Sequence, residues 1–160
     1  MKSKIVVIGN GMAGARVVEE ILKRAAGQFE IVMFGAERYG NYNRILLSNV
    51  LNQTQNPTEI FINPLSWYQE NNIKLYSGVK AVRIDRHLKK VFAVKLSPEI
   101  PAYAQSPADE AAIGPLDIGE SYDHVIIATG SRPFVPPLSG FGAVGTFLFR
   151  TLDDGNQIAR

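Results

Sequence analysis

The sequence predicts an α/β fold built on a parallel sheet, and three observations carry that prediction. Short β-branched apolar runs recur at 5–8, 31–34 and 125–128, the pattern of strands covered on both faces. Glycines at 9, 11 and 14 follow the first run and lead into a helical stripe. Strand, turn, helix and second strand together occupy about thirty residues, the span of one β-α-β unit.

Taken in order, residues 4–8 read as the first strand. Gly14, Val17, Val18, Ile21, Leu22 and Ala25 then recur at spacings of three and four, one apolar face of a helix. Glu19 and Lys23 are placed to pair on its outer face, and Gly27 ends it. Residues 31–34 form a second strand closed by Gly35. A loop at 39–44 precedes a short helix at 45–51, and Pro64 opens another helix that Asn71 and Asn72 terminate. A strand at 73–76 follows, then a β-hairpin formed by 79–85 and 90–96. Residues 97–121 hold four of the nine prolines, with many Ala, Ser and acidic residues. They read as an inserted loop joining two strands. Residues 125–128 are a further buried strand, and 151–160 begin a helix pattern.

Composition narrows the function classes. The chain has 160 residues, 46% of them hydrophobic and 20% charged, with a formal net charge of +2. That length suits one domain with a proper core. The near-neutral balance makes no case for binding nucleic acid or a membrane surface. With no cysteine, a disulfide scaffold, a thiolate-held iron–sulfur or zinc site and a thiol-based redox step are all excluded within this chain. The two histidines, His87 and His124, are far apart, so no metal site is expected. The apolar run at 5–8 is too short for an export signal or a membrane span, and the expected setting is cytoplasmic.

Chemistry concentrates at the ends of the strands. In Gly9-x-Gly11-x-x-Gly14, the first glycine permits a tight turn out of the strand. The second lets a pyrophosphate approach the main chain, and the third lets helix and strand pack closely. The helix that starts there aims free N–H groups and its positive dipole end at phosphate. The alternative is a plain tight turn. An acid should follow the second strand to hold a ribose. Glu37 is the candidate, although the usual place is nearer the strand end, where Gly35 and Ala36 stand; the alternative is a solvated loop carboxylate. Ala128-Thr129-Gly130 leaves the late strand through small residues, and with the glycine triplet it points to a flavin dinucleotide; the alternative is a plain strand–loop turn. Trp67 and Tyr68 read as core packing.

The stretches IVVIGNGMAG, GNYNRILLS and IIATGSRPFVPP, in this order, resemble the flavoprotein reductases with two dinucleotide domains. Within that family the middle stretch is most similar to the branch of NAD(P)H-dependent nitrite reductase large subunits. The resemblance implies a three-layer FAD/NAD(P)-binding, Rossmann-like domain with a parallel central sheet, a helix layer and a small antiparallel β layer. It implies that residues 1–160 are the amino-terminal portion of the FAD domain. Residues 97–121 would be an insertion, and 151–160 the start of a nicotinamide-binding domain that lies further on. It implies FAD on Gly9, Asn10, Gly11, Met12 and Gly14, with Arg44 near the phosphates or the flavin, Val79 at the adenine, and Thr129 and Gly130 close to the cofactor. No side chain here need act as acid or base, because the chemistry belongs to the flavin. NAD(P)H would be the donor. The acceptor would be a metal centre, the sirohaem and iron–sulfur site of a nitrite reductase, or a rubredoxin or ferredoxin. Relatives that use a redox-active thiol carry Cys after the residue matching Ser48, where this chain has Asn49. The alternative outside the enzymes is a non-catalytic nucleotide-binding fragment. An exposed sheet edge and apolar face, with self-association, is the expectation for a truncated domain.

Overall fold

The computed structural model describes residues 2–97, 118–141 and 143–159. In chain order the regular elements are β1 (Ser3–Ile8), α1 (Met12–Ala25), β2 (Phe29–Gly35), β3 (Asn41–Tyr42), α2 (Leu47–Leu51), β4 (Phe61–Asn63), α3 (Leu65–Glu70), β5 (Ile73–Ser77), β6 (Val79–Asp85), β7 (Lys90–Lys95), β8 (Ile118–Ser121), β9 (His124–Ile127) and α4 (Leu152–Ile158). They divide into two compact units, Met1–Tyr42 with Ile62–Gly130 and Asn43–Phe61 with Ser131–Arg160.

The first unit is built on a parallel sheet in the order β5-β2-β1-β9. Val6 pairs with Val32 on one side and Val125 on the other, and Val32 pairs in turn with Lys74. Because side chains alternate along a strand, this register sorts them into two faces. Ile5, Val7, Ile31, Met33 and Ile73 face α1 and α3, where Val18 and Tyr68 complete a buried cluster and Ile21, Leu22 and Trp67 flank it. Val6, Ile8, Val32 and Phe34 face the other way, against Val79, Val91 and Ala93 of an antiparallel β6-β7-β8 sheet. The result is three layers, helix on parallel sheet on antiparallel sheet, as the sequence predicts.

The helical stripe is where the spacing puts it: Gly14, Ala15 and Val18 are buried in α1. Its outer face carries a different ion ladder from the one expected. Arg16 pairs with Glu19 at 3.1 Å and Glu20 at 2.8 Å, and Arg24 pairs with Glu20 at 3.0 Å. Glu19 is drawn toward Arg16 and also accepts from Asn63 Nδ2 at 2.9 Å, so the Glu19–Lys23 pairing gives way to these partners.

Two expectations need correction. Residues 98–117 of the expected loop lie outside the described residues, but 118–121 form β8, antiparallel to β7 with Lys90 opposite Ser121. Its sequence hides it, since Ile118 is its lone aliphatic residue and the inward-facing Glu120 is charged. The strand at β9 is not buried as the apolar run suggests. Among the described strands it is paired on one side alone, to β1, and Ile127 is 63% exposed.

A polar clamp joins the two sheets. The Glu120 carboxylate is buried and accepts from Lys74 Nζ and Tyr76 Oη, both at 2.6 Å, and from Lys4 Nζ at 3.4 Å. Tyr76 stacks on Phe34 with ring centroids 5.0 Å apart, and Lys4 also pairs with Glu30 at 2.9 Å. Burial alone would push the Glu120 carboxyl up, but the bonds from Lys74 and Tyr76 and the charges of Lys74 and Lys4 outweigh it and hold it below its ordinary value.

In the second unit, Arg44–Leu46 form a 3-10 turn that runs into α2, and Asn43 caps it by accepting the Ile45 N–H. Thr151 and Asp154 form a capping box at the start of α4, both of them buried. Helix α2 packs against α4. Among the described residues no helix is long and apolar enough to cross a membrane.

The clamp gives the fold an acid-sensitive joint. A carboxyl held below its unfolded value of about 4.3 stabilises the fold above that pH, and the contribution is lost as pH falls through the folded-state value. Glu120→Ala is expected to lower stability by about 1–3 kcal/mol near neutral pH. It should also flatten the acid side of the stability profile, as read by urea unfolding at a series of pH values.

Candidate functional site

The parallel register brings four chain exits side by side. Ile127 pairs with Ile8, Ile8 with Phe34, and Gly35 with Ser77. The carboxyl edge of the sheet is therefore lined by Ala128–Gly130, Gly9–Gly11, Ala36–Glu37 and Gly78–Val79. This is where a nucleotide lies in an open α/β sheet.

The glycine turn is tightly built. Gly9 has φ +114°, and a Cβ there would lie 2.2 Å from the Ala128 carbonyl oxygen. Its own N–H donates to the Phe34 carbonyl at 2.8 Å, and the Ala128 N–H donates to the Ile8 carbonyl at 2.8 Å. A Cβ at Gly14 would lie 2.0 Å from the Gly9 oxygen, so α1 starts with its backbone against the turn. Both glycines are required by the chain itself.

Gly11 differs. It has φ −82° and ψ −175°, which any residue adopts, and an added Cβ would meet no described atom within 4 Å. It occupies the N-cap position of α1, no side chain caps that end, and the first turn carries no acidic residue. The first-turn N–H groups and the helix dipole thus face open space above a residue without a side chain, a cradle for an anion. The donor set and the room at Gly11 fit a pyrophosphate.

Asn10 is anchored from several directions. Its Oδ1 accepts from Tyr68 Oη at 2.7 Å and its Nδ2 donates to the Tyr39 carbonyl at 3.4 Å. Its main-chain oxygen accepts from Asn41 Nδ2 at 3.4 Å. Tyr68 Oη accepts in turn from the Asn41 N–H at 3.2 Å. Burial pushes the Tyr68 phenol up, and its bonds with Asn10 and Asn41 offset that only in part, so it stays a neutral donor. A Cβ at Gly35 would stand 2.9 Å from Asn10 Cβ. Gly35 is therefore small because Asn10 fills the space above it.

That contact leaves no room for a side chain at the end of β2. Glu37 lies two residues on, accepts from the Tyr42 hydroxyl at 2.5 Å, and receives the Gly78 N–H on its carbonyl at 3.0 Å. Gly78 leads into Val79, a buried residue that begins β6. Met12, the first residue of α1, is 46% exposed. Thr129 and Gly130 are exposed, and Gly130 has φ +72°. Nine of the ten residues expected at the cofactor belong to this first unit. Arg44 belongs to the second, where its Nη1 donates to the Arg150 carbonyl at 2.6 Å.

Sequence reasoning missed Tyr68, Asn41, Gly35 and Tyr42. A signal existed for Tyr68: a tyrosine read as core packing carries a hydroxyl that must find a partner once buried. Nothing in the spacing marked that partner as Asn10, which is 58 residues away. Among the described residues no cluster of His, Cys, Asp and Glu could hold a metal ion.

The comparison with known proteins agrees with this architecture. The chain is 40% identical over 153 residues to a nitrite reductase [NAD(P)H] of Bacillus subtilis, a match covering 96% of this chain and 16% of the relative. It is 37% identical to the assimilatory nitrate reductase electron transfer subunit of the same organism, covering 96% of this chain and 17% of the relative. The chain thus spans about a sixth of the length of these relatives. The NADH:rubredoxin oxidoreductase structure from Clostridium acetobutylicum superposes with a TM-score of 0.74 at 24% identity, over 99% of this chain and 35% of that one. This likeness speaks to the fold. The model of the pyridine nucleotide-disulphide oxidoreductase family matches residues 3–160, glycine turn, late strand exit and all, and the chain belongs to that family.

Proposed function

We infer that this chain forms the FAD-binding portion of an NAD(P)H-dependent oxidoreductase. On this reading the parent protein passes electrons from the nicotinamide through FAD to a metal centre, as in a nitrite reductase large subunit. The observation that carries the FAD seat is Gly11: its backbone angles and its surroundings would accept a side chain, so its smallness answers to what approaches from outside. The similarity to a nitrite reductase at 40% identity supports the electron acceptor, a sirohaem and iron–sulfur site elsewhere in the parent.

The chain's residues have distinct tasks in this scheme. Gly9 and Gly14 fix the corner, Gly11 leaves the approach open, and the α1 first turn offers N–H donors to the diphosphate. Glu37, with the Tyr42 hydroxyl on its carboxylate, lies on the ribose side, and Val79 lies by the adenine. Thr129 and Gly130 line the other flank. Arg44 supplies a cation toward the phosphates or the flavin. The redox chemistry, hydride acceptance and onward electron transfer, would be supplied by FAD held at these residues. Asn49 stands where thiol-using relatives carry Cys; its Nδ2 donates to Gln55 Oε1 at 3.0 Å, a loop-ordering role. The segment from Leu152 onward leads toward the nicotinamide-binding domain, and the setting is cytoplasmic.

Two glycine substitutions separate the seat from the scaffold. Gly11→Val in the full-length protein should leave the thermal midpoint of the flavin-free form close to that of the parent protein and cut flavin retention at least about tenfold, about 1.4 kcal/mol or more. Flavin absorbance after gel filtration reads it, and a variant as yellow as the parent protein would overturn the assignment. Gly14→Ala should act on the fold instead. Its Cβ runs into a backbone oxygen that cannot swing aside, so a loss of about 1–3 kcal/mol or more is expected, measurable by chemical unfolding with no cofactor added.

A further inference from the structure

Tyr68 connects the core to the glycine turn, and no other described contact does so in the same way. Its ring is buried in the cluster of Ile5, Val7, Val18, Ile31, Met33 and Ile73, with Trp67 edge-on at 5.0 Å between ring centroids. Its hydroxyl emerges at the carboxyl edge of the sheet, donating to Asn10 Oδ1 at 2.7 Å while accepting from the Asn41 N–H at 3.2 Å. A phenol with both roles filled has one orientation. It therefore fixes which side of the Asn10 carboxamide faces it and leaves Nδ2 for the Tyr39 carbonyl. Gly35 completes the socket, since a side chain there would displace Asn10.

We propose that Tyr68 is a positioning residue for phosphate binding, acting through Asn10 to hold the Gly9–Gly11 turn in the form that receives the diphosphate. The proposal rests on the FAD reading for its consequence, while the mechanical link from Tyr68 to the turn stands on contacts within the protein. A glycine-rich turn has many conformations open to it, and holding one of them in advance avoids an ordering cost when the ligand binds. The hydrogen bond between Tyr68 and Asn10 reduces that freedom without placing any side chain in the path of the phosphates.

The test uses Tyr68→Phe, which keeps the ring in the core and removes only the hydroxyl, in the full-length protein. Amide hydrogen exchange in the flavin-free protein should speed up about three- to tenfold at Gly9 and Ala15, whose N–H groups are held by the Phe34 and Gly11 carbonyls, the worth of one neutral hydrogen bond, and stay unchanged in the β6–β7 hairpin. FAD affinity, by fluorescence titration, should fall by a similar factor. In an Asn10→Ala background the Tyr68 effect on both readouts should shrink, the bond from the Asn41 N–H being what is left to lose. Asn10→Ala also breaks the same bond from its other end, which covers the case in which Tyr68→Phe folds poorly. Three results would overturn the proposal: unaltered exchange in the turn, equal acceleration in every element, or an undiminished Tyr68 effect when Asn10 is already alanine. If the turn loosens as expected but the unsubstituted protein takes up no FAD, the mechanical link stands and the cofactor reading is the part that falls.

Discussion

The first unit depends on one close approach of main chains. Helix α1 starts with Gly14 against the Gly9 carbonyl, and Gly9 itself lies against the Ala128 carbonyl. Two exits from the sheet and the first turn of α1 thus meet within van der Waals contact. The consequence is positional. With its first turn on the end of β1, α1 must run back along the sheet, and Val18 is carried onto Val7 and Met33. The corner that would seat a diphosphate is also the corner that sets the packing of the helix layer, so fold and site share one constraint.

What the sequence made legible follows from that sharing. The strand runs, the glycine triplet and the 3.6-residue stripe are local patterns, each with a local physical cause, and each corresponds to the observed β1, α1 and β2. The hairpin at β6 and β7 was legible for the same reason. What escaped was set by distant partners. β8 shows no alternation of apolar residues because its inward-facing side chain is Glu120, tolerated there only because Lys74, Tyr76 and Lys4 converge on it from two other strands. The exposure of β9 is likewise a matter of having β1 alone as a neighbour among the described strands, which an apolar run cannot announce.

The clamp also has a structural logic. Sheet layers packed by aliphatic side chains alone can slide, since the attraction is non-directional. A buried carboxylate that accepts from three donors on β1 and β5 is directional, and it is costly to leave unpaired. Glu120 therefore fixes the register between the antiparallel sheet and the parallel one. Gly78 and Val79 follow directly from β5, whose pairing with β2 puts Ser77 opposite Gly35 and Gly78 beside Glu37 at the carboxyl edge.

The exchange between Asn10 and Gly35 carries the reasoning furthest. A turn built from Gly-Asn-Gly puts a side chain where a smaller residue would leave room, and the end of β2 adjusts by having none. A side chain at residue 35 would meet Asn10 within 2.9 Å at its first atom, so the end of β2 has no room for an acid there. Glu37 is the next acidic residue, and Tyr42 donates its hydroxyl to it. Asn10, Gly35 and Tyr68 are thus coupled, because each occupies space or satisfies a hydrogen bond that another makes necessary.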